Sequence, residues 1–222
     1  MTDLLVSLSE YLSNLAGLEL VAMLLALAYI ILAAQGSLWC WPAAFISTAL
    51  YTVVFYDVLL LMDSALNVYY LVMAVYGYWT WQKSTSVDAI QNHPTKTTPL
   101  AIISWSANKH LKICLTLTII SLILGYIIAN YTPASFPYLD TFTTVFAVFA
   151  TYLVTQKVLE NWLYWIVIDA ASIYLYIEKG LIPTTVLFII YVIFAAYGYF
   201  KWQAIYRESK ANQINLSDIV AG

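Results

Sequence analysis

The chain has 222 residues, 63% of them hydrophobic and 9% charged, with a net charge of −3. A soluble domain is about one quarter charged, so this composition excludes an ordinary soluble fold and points to a polytopic membrane protein. In such a protein the placement of charge says more than its sum, and no nucleic-acid partner is expected.

Seven hydrophobic runs are long enough to cross a hydrocarbon core as helices, at about 16–34, 38–56, 62–82, 110–130, 139–156, 162–178 and 182–202. The ten-residue alternating segments of a membrane β-barrel are not found. The first run has no basic residue before it and no small-residue cleavage site, so it reads as a retained helix rather than a signal peptide. It carries few polar residues after Glu19 and stops at Gln35-Gly36, a turn signal.

The second run opens L-W-C-W-P, with Pro42 tolerated in a first helical turn, and continues through Ser47, Thr48 and Tyr51. Hydroxyls here serve helix packing as readily as a ligand, and packing is the expected role; Trp41 and Thr48 are kept as site candidates. The third run places Asn67, Tyr70, Ala74, Tyr78 and Trp81 on one face. An unmet amide is costly in an apolar span, which makes Asn67, with Tyr70 beside it, a second candidate position.

The polar segment Gln82–Lys109 contains Pro94 and Pro99, and no function is assigned to it. His93 and His110 have no helical partner at ligand spacing and are expected at the surface. Cys40 and Cys114 lie far apart in apolar runs and read as packing residues, with no metal or disulfide spacing. The fourth run has only Thr116, Thr118 and Ser121 as polar interior residues and reads as a connector or oligomer contact.

The fifth run follows S-F-P-Y-L-D, which puts Asp140 where an acid favours a helix N-terminus. Thr144, Ala147, Thr151 and Thr155 then form a small-residue face, suited to tight packing or to a solute path. Gln156, Lys157 and Glu160 fall at an interface and are expected to be solvated.

The sixth run carries the strongest signal: Trp162, Trp165, Asp169, Ser172 and Tyr176 share one helical face. A carboxylate at mid-bilayer costs at least a few kcal/mol and normally faces a bundle interior or a water-filled cavity, so something must compensate Asp169. The seventh run is apolar and aromatic to its end, and the segment 206–222 is expected to be a mobile tail.

Two halves of the chain resemble each other. Tyr76-Gly77-Tyr78-Trp79-Thr80-Trp81-Gln82 closes the third run and Tyr197-Gly198-Tyr199-Phe200-Lys201-Trp202-Gln203 closes the seventh. Trp41 and Trp165 stand in comparable places near the starts of the second and sixth. The expected fold is therefore all-α, with seven transmembrane helices arranged as two parallel three-helix repeats joined by a linker helix, a 3+1+3 arrangement like that of the SWEETs. The expected divisions are a first repeat over 1–82, loop and linker over 83–138, a second repeat over 139–205 and the tail. Lys83, Lys96, Lys109, Lys112, Lys157, Lys201, Arg207 and Lys210 fall on one side and only Lys179 on the other, which predicts an outside N-terminus and a cytoplasmic C-terminus.

No nucleotide-binding lysine motif, metal-binding His-Glu-x-x-His helix or Gly-x-Ser-x-Gly elbow is present. An intramembrane enzyme should show paired carboxylates or a His/Cys cluster at one depth, and only Asp169 is deep. No enzyme activity and no cofactor or metal is expected.

F-P-Y-L-D (136–140), T-x-K (155–157), V-L-E-N-W-L-Y-W-I (158–166) and Y-Y-x-x-x-A-x-Y-G-Y-W-x-W (69–81) together resemble the PnuC family of bacterial vitamin transporters, over essentially the whole chain. The resemblance implies a 3+1+3 homotrimer in the bacterial inner membrane with one path per protomer. It also implies facilitated diffusion of nicotinamide riboside, trapped inside by a cytoplasmic vitamin kinase. The family's substrate-site aromatics fall on Trp162 and Trp165, and its helix-five aspartate falls on Asp140.

Three departures matter: Asn67 replaces a common glutamine, Asp169 a common asparagine, and Cys40-Trp41 stands where an asparagine and an aromatic are expected. Relatives in the family are linked to thiamine, which like nicotinamide riboside carries a permanently cationic aromatic ring. Trp162 and Trp165 stacking on such a ring would each gain about 0.5–2 kcal/mol, with Asp169 as counter-charge. Acid in place of amide makes thiamine a rival to nicotinamide riboside. Proton coupling through Asp169 is the competing use of the same acid.

Overall fold

The computed structural model describes residues 2–57, 61–87, 100–133, 135–178 and 182–221, with side chains described over 17–18, 20–54, 66–82, 100–133, 135–178 and 185–212. Its elements are α1 (Thr2–Ala34), α2 (Cys40–Asp57), α3 (Leu61–Val87), α4 (Ala107–Tyr131), α5 (Pro137–Thr155), α6 (Asn161–Glu178) and α7 (Ile182–Ala221). Among the described residues there is no strand, and extended pairing is confined to one parallel bridge between Ile103 and Val158.

α4, α5 and the Thr185–Asn212 part of α7 are long and apolar enough to cross a membrane, while Leu20–Ala34 and Cys40–Val54 are shorter apolar stretches. α6 has the length for a span, but Asn161, Asp169, Glu178 and its Trp and Tyr residues dilute its apolar character. The expected boundaries hold to within a few residues for α2, α5 and α6.

The two ends of the chain differ from expectation. α1 begins at Thr2, and α7 continues through the expected tail to Ala221. Hydropathy does not mark these polar flanks, yet neither 2–15 nor 203–221 contains the glycine or proline that would break a helix. His93, Pro94, Lys96 and Pro99 lie outside the described residues, as do the side chains of Asp3, Glu10, Glu19, Lys83 and Lys179.

The chain forms two compact units, Met1–His93 and Pro94–Gly222. In the first, α1 packs on α2 and α2 on α3; in the second, α4 packs on α5, α5 on α6 and α6 on α7. The fourth helix, expected as the connector between the repeats, packs within the second unit. Its Ser121 carbonyl accepts the Thr141 hydroxyl of α5 at 3.0 Å, a bond buried between the two helices. The core of this unit lies between α5 and α6, where Phe146, Ala147, Ala150, Leu153, Val158, Tyr164 and Ile168 pack together. Thr151 and Thr155 of α5 are buried and return their hydroxyls to their own helix, to the Ala147 carbonyl at 2.8 Å and to that of Tyr152 at 2.7 Å.

Local geometry recurs at a constant spacing of 121 positions. α2 and α6 each have 18 residues and start at 40 and 161; α1 and α5 end at 34 and 155; α3 and α7 start at 61 and 182. After α1 the backbone turns left-handed at Gly36 (φ 71°), and after α5 at Lys157 (φ 49°). Gly36 N–H donates to the Ala33 carbonyl at 2.9 Å and Lys157 N–H to that of Val154 at 3.0 Å. The next residues, Ser37 and Val158, donate to Leu32 and Leu153, both at 3.0 Å. This pair of bonds around a left-handed residue closes a helix C-terminus in the Schellman manner.

Candidate functional site

α6 turns an exposed stripe of Leu163, Val167, Ala170, Tyr174 and Ile177 away from the rest of its unit. Asn161, Tyr164, Ile168 and Leu175 are buried on a second stripe, of which Tyr164 and Ile168 join the α5 core. The third stripe holds Trp162, Asp169, Ser172 and Tyr176, the face that the periodicity predicts; Trp162, Asp169 and Ser172 are buried and Tyr176 is half-buried. Trp165 is half-buried and packs against the α5 core.

Trp162 is 4% exposed and lies in a cage built by α7. The Trp202 ring meets it edge-on, with centroids 5.4 Å apart and planes at 86°. Its other wall is Gly198, where any Cβ would come within 2.7 Å of the indole. The first unit builds the same cage. Trp41, 2% exposed, meets Trp81 edge-on at 5.2 Å and 84°, and a Cβ on Gly77 would come within 2.3 Å of its ring. In both cages the indole N–H is buried and has no hydrogen-bond partner among the described residues.

The spacing of 121 relates Trp41 to Trp162, Gly77 to Gly198 and Trp81 to Trp202. The counterpart of Trp41 is therefore Trp162 and not Trp165, which corresponds to Ala44. The repeated Tyr76-Gly77 and Tyr197-Gly198 pairs stand at the same spacing, so position near a helix start misleads while the register of the repeat and the packing of each ring agree.

Asp169 is 5% exposed, and among the described residues it makes no ion pair and no side-chain hydrogen bond. Ser172 does not compensate it, because the Ser172 hydroxyl donates to the Ile168 carbonyl at 3.0 Å. Farther along α6, Tyr176 stacks on Phe188 of α7 at 5.1 Å and 29°, and Phe188 meets Tyr191 edge-on at 5.5 Å. Asp140 is half-buried in the first turn of α5. An open groove between the start of α5 and Tyr174 is lined by Phe136, Pro137 and Tyr138, and neither Trp162 nor Asp169 lines it.

In the first unit Asn67 is buried, and Tyr70 is half-buried beside Tyr69 at 5.7 Å between rings. The Thr48 hydroxyl donates to the Ala44 carbonyl of its own helix at 2.7 Å.

Expectations for three residues fail around the start of α6. His110 is not a free surface side chain: its Nδ1 lies 3.0 Å from the Tyr164 hydroxyl, and its Nε2 lies 3.4 Å from Glu160, close enough for an ion pair though not aligned as a hydrogen bond. Glu160 is not merely solvated, since it accepts from the Ser104 hydroxyl and from the Trp105 N–H at 3.2 Å. Lys157 is buried rather than solvated. These partners stand about fifty residues apart, so no local spacing announces them.

The family model described as nicotinamide mononucleotide transporter matches residues 16–204, a stretch that contains both tryptophan cages and Asp169. The chain belongs to that family. Members of the nicotinamide mononucleotide transporter family are membrane transporters and not enzymes. Curated relatives include the nicotinamide riboside transporter PnuC of Escherichia coli (strain K12), 24% identical over 180 residues that cover 73% of this chain and 75% of the relative. The protein of the same name from Shigella flexneri matches with the same figures. A crystal structure of the vitamin B3 transporter PnuC superimposes with a TM-score of 0.69 at 20% identity, over 87% of this chain and 83% of the other. The family's fold is therefore shared over most of the chain.

Proposed function

We propose that this family member carries a cationic vitamin across the bacterial inner membrane by facilitated diffusion, with phosphorylation by a cytoplasmic vitamin kinase retaining it inside. The observation that carries the reading is Asp169, a carboxylate buried to 5% exposure with no protein partner among the described residues. A buried anion without a partner is costly, and a bound cation supplies the missing charge. Trp162, Trp165 and Tyr176 lie on the same helix within two turns of it. Indole faces are the best cation–π acceptors among side chains.

Nicotinamide riboside and thiamine both present a cationic aromatic ring. The names of the curated relatives favour the first, and an acid at position 169 favours the second. The remaining candidate contacts are Asn67, Tyr70, Asp140, Trp41 and Thr48. Proton coupling through Asp169 is the second reading, and accumulation of unmodified substrate that collapses with a proton ionophore would establish it.

The 121-residue recurrence of helix bounds, turn geometry and tryptophan cages supports a 3+1+3 arrangement of two parallel repeats. Lys109 and Lys112 in the first two turns of α4, Lys157 in the turn after α5, and Lys201, Arg207 and Lys210 past the apolar start of α7 support an outside N-terminus and a cytoplasmic C-terminus. The homotrimer rests on family resemblance. Tryptophan fluorescence of the purified protein, titrated separately with thiamine, nicotinamide riboside and neutral analogues, tests the assignment. Saturable quenching by one cation names the substrate, and quenching by neither cation overturns the reading.

A further inference from the structure

The segment before α4 is fastened to the turn between α5 and α6. Ile103 N–H donates to the Lys157 carbonyl at 3.0 Å, and Leu159 N–H donates back to the Ile103 carbonyl at 2.8 Å. Glu160, the last residue before α6, accepts from both the Ser104 hydroxyl and the Trp105 N–H. Bonds to a charged carboxylate are among the stronger hydrogen bonds. The same carboxylate faces His110 at 3.4 Å, whose other ring nitrogen contacts the Tyr164 hydroxyl, one turn inside α6. Tyr164 in turn touches Cys114 of α4 at 3.5 Å, and Lys109 covers the Trp105 ring at 3.1 Å.

The recurrence singles this arrangement out. The turn after α1 has the same backbone bonds, but position 39, the counterpart of Glu160, holds a tryptophan that is 73% exposed. The carboxylate is thus unnecessary for closing the turn. It is present only on the copy whose next helix carries Asp169.

We propose that Glu160 is a positioning residue for the transport site: by holding segment 101–106 and His110 against the turn, it fixes the first two turns of α6, which bear Trp162 and Trp165. Residues 160 and 164 are both tied to the start of α4, so the rotation of these turns about their axis is set from two points. A binding side chain is only as well placed as the contacts that support it. The proposal rests on Trp162 and Trp165 contacting the vitamin.

The test compares wild type with Ser104→Ala, Glu160→Gln, Glu160→Ala and the Ser104→Ala/Glu160→Ala double variant, purified in detergent. Each is titrated with nicotinamide riboside and thiamine, and its thermal midpoint is measured. Glu160→Ala is expected to raise Kd by about 3–10-fold, Glu160→Gln to recover part of the loss, and the double variant to be no worse than Glu160→Ala. Where Glu160→Ala does not fold, Ser104→Ala decides, with an expected rise of about 2-fold. Wild-type Kd in every folded variant, whatever happens to the midpoint, overturns the proposal.

Near-ultraviolet circular dichroism of the Trp162–Trp202 pair gives a readout without ligand, taken as the difference made by Trp162→Phe in each background. If wild type binds neither vitamin, the vitamin reading falls and this difference decides: a changed signal in Glu160→Ala supports the positioning role, and an unchanged one overturns it.

Discussion

Lys157 holds a left-handed backbone, φ 49°, at the position that corresponds to Gly36, φ 71°. A side chain in this conformation costs about 1–2 kcal/mol, which glycine avoids. The second turn tolerates the strain because the Lys157 carbonyl accepts the Ile103 N–H and the side chain is buried, contacts that the first turn lacks among the described residues.

Adding the same strain to the first turn should therefore be visible. Gly36→Ala is expected to cost about 1 kcal/mol or more and to lower the thermal midpoint in detergent, while Gly36→Asn, better tolerated in this region, should lower it less. Equal midpoints for wild type and Gly36→Ala would mean that the turn relaxes.

Asp169→Asn keeps the shape of the side chain and removes its charge. Binding of the cationic vitamin should weaken at least about 10-fold, near 1.4 kcal/mol, as read by fluorescence titration. The empty protein should be as stable as wild type or more so, since an unpaired buried carboxylate is a burden on the fold. Unchanged affinity for both cations would remove Asp169 as the counter-charge.

Trp162 and Trp165 should separate when each is replaced by alanine. Trp162 fills a cage between Gly198 and Trp202, so its loss leaves a cavity and is expected to cost about 3–5 kcal/mol of stability. Trp165 is only half-buried, and its replacement should cost less stability while reducing vitamin affinity by about 0.5–2 kcal/mol. Vitamin affinity should fall in both variants, and melting curves beside the titrations separate the added cage role of Trp162 from the contact that the two rings share.

The glycines that wall the cages should resist any side chain. Gly198→Ala and Gly77→Ala force a methyl into the Trp162 and Trp41 rings, and overpacking of this kind costs about 1–3 kcal/mol. The closer approach, 2.3 Å against 2.7 Å, makes Gly77→Ala the more damaging. Shrinking the ring should relieve it: Gly198→Ala combined with Trp162→Leu is expected to melt above the sum of the two single losses, and simple additivity would contradict the cage.

Much of this was legible along the chain. Runs of apolar residues marked α2, α5 and α6 to within a few residues, because a span needs a minimum length of hydrocarbon-compatible side chains. The doubled Tyr-Gly-Tyr segments announced an internal recurrence, and the spacing of Trp162, Trp165, Asp169, Ser172 and Tyr176 announced a shared face. Each of these signals is local, carried by composition or by the helical period.

Pairing across sequence distance was decided only by the tertiary structure. The Trp41–Gly77 and Trp162–Gly198 contacts each join residues 36 positions apart on different helices. The Ser104–Glu160–His110–Tyr164 contacts join residues about fifty positions apart, and no periodicity relates them. The membrane class, most helix bounds and the faces the helices offer follow from neighbouring residues, because hydrophobic length and helical period are local properties. Which ring sits on which glycine, and which carboxylate steadies the turn before α6, depended on how those faces packed, and that is a property of the folded chain alone.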